Sequence, residues 1–61
     1  MTKYKVYNYR TFNDYQHGHG DMILETSSKQ EAINCANSSN YGGREICSVC
    51  KNGKEIYCTL K

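Results

Sequence analysis

Proline and tryptophan are absent from this 61-residue chain, and it has one phenylalanine. Set beside plentiful Asn, Lys and Tyr, that gap is compatible with an AT-rich coding genome, such as that of a low-GC bacterium or its phage. No apolar run approaches the roughly 20 residues a membrane-spanning helix needs, so no membrane partner is expected. The opening Met-Thr-Lys-Tyr-Lys-Val lacks the apolar stretch of a signal peptide. The expected setting is therefore cytoplasmic, in a bacterial cell or in the host of a phage, where thiols stay mostly reduced. A formal net charge of +2 is too small to imply a nucleic-acid partner by itself, and its sign argues against a DNA mimic, which would need a dense acidic surface. Nothing matches G-x-S-x-G, HExxH, a P-loop or a Gly-rich dinucleotide turn. A chain of this length buries only ~60% of its unfolded surface, which leaves little room for a core plus an enclosed pocket. The expectation is one small domain, 1–61, that is not an enzyme, needs no cofactor and binds with its surface.

What is present is organised around its C-terminal third. Two alternating runs flank Asn52-Gly53, a dipeptide that tolerates positive φ at both central positions and so favours a type I′ hairpin turn. An uninterrupted ladder from that turn sets Lys51 opposite Lys54, Cys50 opposite Glu55, Val49 opposite Ile56, Ser48 opposite Tyr57, Cys47 opposite Cys58 and Ile46 opposite Thr59. One face then carries Cys47, Val49, Ile56, Cys58 and Leu60 toward a core. The other carries Ile46, Ser48, Cys50, Glu55, Tyr57 and Thr59.

Upstream, Lys3 to Thr11 alternates as a strand, with Tyr4, Val6 and Asn8 inward and Tyr7 and Tyr9 outward. Phe12 to Gly20, polar and glycine-bearing, reads as a long hairpin loop. Asp21 to Thr26 reads as a second strand with Met22 and Leu24 inward. Thr26-Ser27-Ser28-Lys29-Gln30-Glu31 has capping-box spacing and opens a helix from about Lys29 to Ser38 or Ser39. Its apolar stripe is Ala32, Ile33, Cys35 and Ala36, small enough to lie close on a sheet. Asn37 to Gly43 then turns the chain into the third strand. The resulting class is α+β, ββαββ, with a four-stranded, mainly antiparallel sheet and one helix on one face. The segments Thr26-Ser-Ser-Lys-Gln-Glu-Ala-Ile33 and Asn52-Gly-Lys-Glu-Ile56, together about a fifth of the chain, resemble the helix entry and last hairpin of small bacterial and phage ββαββ domains. That resemblance implies the fold and carries no activity with it.

Three groups of residues bear on chemistry. Cys47-Ser-Val-Cys50, with Cys35 and Cys58 elsewhere, has CxxC spacing. In a strand, residues three apart point to opposite faces, which argues against a shared zinc ion, and no helix N-terminus is expected at Cys47 to lower its pKa as a redox pair needs. Cys35, Cys47 and Cys58 then read as small buried apolar residues, although the uninterrupted register permits a Cys47–Cys58 disulfide in oxidising conditions. His17-Gly-His19, flanked by Asp14 and Asp21, offers transition-metal donors but reads first as a pair of solvated loop histidines, so no metal is expected. The six tyrosines are the third group. Tyr7, Tyr9 and Tyr57, with Ile46 beside them and Tyr15 from the loop, form the expected protein-contact or homodimer face, and the Phe12–Gly20 loop is the second surface expected to make contact. The other reading is single-stranded nucleic acid stacked on those tyrosines, with phosphates held by Lys3, Lys5 and Arg10. The function expected is a non-catalytic module acting by protein contact, as a regulator or inhibitor, possible targets including a host system if the gene is a phage's.

Overall fold

The computed structural model describes residues 3–60. Six elements follow one another: β1 (Tyr4–Tyr9), α1 (Phe12–His17), β2 (Asp21–Thr26), α2 (Lys29–Ser38), β3 (Ile46–Lys51) and β4 (Lys54–Cys58). A single 3-10 turn at Tyr41–Gly43 joins α2 to β3. The strands form one antiparallel sheet in the order β2-β1-β3-β4, so β1 and β3 are central and β2 and β4 are edges. The class is α+β, with α2 as the main helix on one face of the sheet. None of the described helices is long and apolar enough to cross a membrane.

Helix α2 starts where the sequence places it. Ser28 is extended and its hydroxyl accepts from the Glu31 backbone N–H at 3.2 Å, with Glu31 in the first turn. Ala32 and Ala36 are fully buried and meet Val6, Cys47 and Val49 to form the core, with Tyr4, Leu24, Ile33, Cys35 and Tyr57 packed around it. The alanines let the helix approach the sheet closely, and the low volume of this core leaves the domain little hydrophobic surplus.

The turn is also as expected: Asn52 and Gly53 have φ of 54° and 78°. Beyond Cys50–Glu55, however, the ladder slips. Val49 pairs with Tyr57 and Ser48 with Cys58, so Ile56 is an extra residue on β4. A bulge of this kind reverses the faces of everything after it. Three expectations fall with it. Ile56, placed inward by an uninterrupted register, is exposed, as is Leu60. Cys58 stands opposite Ser48 instead of Cys47, whose backbone exchanges hydrogen bonds with Thr59, so the register no longer supports a Cys47–Cys58 bond. Tyr57 lies on the α2 side, packed against the core, and its hydroxyl donates to Asn37 Oδ1 at 2.9 Å.

The opposite edge behaves the same way. Val6 pairs with Leu24 but Tyr7 with Met22, leaving Ile23 as the extra residue on β2. Leu24 is inward as expected; Met22 sits opposite Tyr7 on the other face and is 51% exposed. Both edge strands thus carry a bulge at an isoleucine, a device that twists an edge away from pairing with another chain.

The segment Phe12–His17, expected as loop, is helix α1. Thr11 is its N-cap, its hydroxyl accepting from the Asp14 N–H at 3.1 Å. Gly18, at φ 70°, ends it, and the His19 N–H returns to the Asp14 carbonyl at 2.9 Å. The signal was in the chain as Thr11 three residues before Asp14 and a glycine after the last turn. Seven polar residues and glycines around Tyr15 obscured it, because no apolar stripe runs along so short a helix.

Candidate functional site: the sheet face under α1

The face away from α2 carries Lys5, Tyr7 and Tyr9 from β1, Ile46, Ser48 and Cys50 from β3, and Glu55 and Cys58 from β4. Helix α1 folds onto it through Tyr15. The Tyr15 ring meets Tyr9 edge-on, with centroids 5.2 Å apart. Its hydroxyl donates to the Glu55 carboxylate, with oxygens at 3.0 and 2.9 Å. Tyr15 therefore reaches across β3 from β1 to the far edge. Ser48, between Tyr7 and Cys58 on this face, is only 1% exposed. The Tyr15 phenol is held well above its ordinary range, first by the bond it donates to Glu55 and next by burial.

The tyrosine face expected from the sequence is thus divided. Tyr7, Tyr9 and Tyr15 are together and half-buried. Tyr57 is removed to the α2 side, and Ile46, although on the expected face opposite Tyr9, is buried at 8% exposure and offers nothing to a partner. Two apolar residues beside Tyr7, Tyr9 and Tyr15 are each 51% exposed: Phe12, within the segment expected as a contact loop, and Met22, which the sequence reading missed by placing it inward. Phe12 stacks obliquely beside Tyr15 with centroids 6.1 Å apart, and Met22 stands opposite Tyr7. Gly20 fits beneath the Tyr9 ring: a Cβ there would lie 2.4 Å from it. The outcome is a strip of uncharged side chains along one face, Met22–Tyr7–Tyr9–Tyr15–Phe12, with ring contacts from Tyr9 through Tyr15 to Phe12 and the Glu55 carboxylate at its border.

At the turn end of the same face lies a groove of about 350 Å³ lined by Lys3, Lys5, Tyr7, Glu25 and Cys50, with Asn52-Gly53 at its mouth. Lys3 and Lys5 converge there as the nucleic-acid reading requires. Arg10 does not: it follows β1 at the opposite end, about 20 Å away by strand rise.

The thiols are set apart by the sheet. Cys47 is in the core, beside the Asn8 amide, and Cys50 is on the α1 side, as the alternation of a strand demands. Burial raises the Cys47 thiol, against the Asn8 hydrogen bond. It raises Cys50 as well, against a hydrogen bond from Ser48 and with Glu55 adding to the rise. Neither has the depressed pKa of a reactive cysteine. The His17 and His19 rings are 5.8 Å apart, and His17 Nδ1 is 2.8 Å from the Asn13 carbonyl, to which it donates. Among the described residues no group of three or more His, Cys, Asp and Glu side chains is placed to hold a metal. Comparison with family models, with curated proteins and with solved structures gives no match.

Proposed function

We propose that this chain is a small non-catalytic binding module that acts by contact with a protein partner, as a regulator or inhibitor. The observation that carries the reading is the Met22–Tyr7–Tyr9–Tyr15–Phe12 strip, whose two ends expose half of their surface. Aromatic and Met side chains free of charge are the composition of an interface centre, and isolated exposed apolar residues would not line up along one path. A helix cap, an edge-on ring pair and the Tyr15–Glu55 hydrogen bonds hold the α1 end of the strip, Tyr9 and Tyr15, which lowers the ordering cost of association there. The partner is a different protein rather than a second copy in this reading, and the experiment separates the two.

A photo-crosslinking amino acid placed at Met22 or Phe12 in the producing cells tests it, with the same group at exposed Gln30 on α2 as control. The expected result is one heterologous crosslinked band from Met22 and Phe12 that Gln30 does not give. A band at twice the protein's own mass would make the strip a homodimer face. Identical patterns from all three positions would contradict the proposal.

A further inference from the structure

Neither Phe12 nor Met22 lines the groove at the turn end of the sheet, and its chemistry is different. Two ammonium groups, Lys3 and Lys5, stand two residues apart on one side of β1. Tyr7, the next residue on that face, supplies an aromatic surface. Glu25, the partner of Lys5 across the β1–β2 ladder, adds a carboxylate. Cys50 closes the floor with an uncharged thiol. Asn52 and Gly53 bring a side-chain amide and a tight positive-φ backbone to the mouth.

We infer that this groove binds a nucleoside phosphate, either free or as one unit of a single strand. Each component meets one part of such a ligand. The lysines take the phosphate oxygens by charge-assisted hydrogen bonds. Tyr7 takes the face of the base, a contact tolerant of sequence because every base has a π-face. Glu25 accepts from a sugar hydroxyl or an exocyclic amine. The base and sugar contacts separate this ligand from its competitors: a bare phosphate or an acidic peptide has no aromatic face to stack on Tyr7 and no sugar hydroxyl or exocyclic amine to donate to Glu25. The volume of about 350 Å³ lies at the lower end of small-ligand sites, which run from about 300 to 1,000 Å³. The inference does not depend on the protein-contact reading, with which it shares only Tyr7.

The test is an amide chemical-shift titration of the whole chain with four probes: adenosine monophosphate, inorganic phosphate, a short single-stranded oligoadenylate and a polyglutamate peptide. The nucleotide should move the amides of Lys5, Tyr7, Cys50 and Gly53 and saturate in the millimolar range, with inorganic phosphate weaker by about tenfold. Tyr7→Ala and Lys5→Gln should each weaken the nucleotide by about tenfold. Lys5→Gln keeps the test valid if Tyr7→Ala perturbs the fold, because Lys5 is exposed. An oligonucleotide that binds much more tightly than the mononucleotide identifies a single strand as the source, and equal affinity identifies a free nucleotide. Polyglutamate or inorganic phosphate matching the nucleotide overturns the inference. So do shifts centred elsewhere, or none by about 10 mM, a concentration at which a site of this kind would be occupied.

Discussion

The two central strands and the two edge strands of this sheet obey different rules. Between β1 and β3 the ladder runs unbroken from Tyr4–Lys51 to Tyr9–Ile46, and every side chain alternates as its sequence suggests. At each edge a single isoleucine, Ile23 or Ile56, interrupts the ladder and exchanges the faces beyond it. The centre holds the fold, with Val6, Cys47 and Val49 fully buried. The edges decide which aromatic and apolar groups reach the surface. Met22 is turned out toward Tyr7, and Tyr57 is turned in toward α2. A candidate site on a small sheet can therefore depend on two inserted residues that make no contribution to its core.

The contrast can be broken by substitution. Val6→Ala or Val49→Ala removes two methyl groups from a fully buried site and should cost about 2 kcal/mol or more in urea unfolding, a large part of the stability of a domain this small. Ile23→Thr and Ile56→Thr at the bulges should stay within about 0.5 kcal/mol, as exposed substitutions do. Equal losses at centre and edge would abolish the distinction.

Gly20→Ala should follow, at about 1–3 kcal/mol by thermal unfolding, because its Cβ would meet both the Tyr9 ring and the Asn8 carbonyl, 2.9 Å away in the backbone. An unchanged melting temperature would mean that Tyr9 does not lie over Gly20. Tyr57→Phe should cost about 0.5–1 kcal/mol through the lost bond to Asn37, measured by the same unfolding assay. If it proves neutral while Tyr57→Ala also proves neutral, Tyr57 is not packed on the α2 side.

The smallest effect is with pH. The folded phenol of Tyr15 is raised above its ordinary 10.0, so the folded chain keeps a proton that the unfolded chain releases. The associated stability is present below about pH 10 and is lost as pH rises beyond it. A Tyr15→Phe variant should lack that alkaline decline, and its ultraviolet titration should be missing one late-ionising phenol. Identical alkaline profiles for both proteins would contradict the Tyr15–Glu55 contact.

Much of this architecture was legible before the structure. The Asn52-Gly53 turn, the Ser28 cap, the Ala32–Ala36 stripe and the outward placement of Tyr7 and Tyr9 are local decisions, made by residues within a few positions of one another. The bulges are not local. Ile56 alternates perfectly with its neighbours, and only the competition between Ile56 and Tyr57 for the space beside Val49 and Asn37 tells which one turns in. Tyr57 prevails because its ring reaches the core while its hydroxyl finds the Asn37 acceptor, a fit that depends on where α2 lies. The candidate strip was half visible for the same reason. Tyr7, Tyr9 and Tyr15 were named from composition and alternation; Met22 needed the β2 bulge, and Phe12 needed a helix in place of a loop.

Nuclear Overhauser contacts of the Tyr57 ring test the central claim most directly, since both the core and the free strip depend on which face it occupies. The account predicts cross-peaks from the Tyr57 ring to the Asn37 side chain, together with Tyr15 to Tyr9 on the opposite face. Cross-peaks from Tyr57 to Tyr7, with Val49 paired to Ile56, would contradict it. They would restore an unbulged hairpin and place the contact surface on a different set of residues.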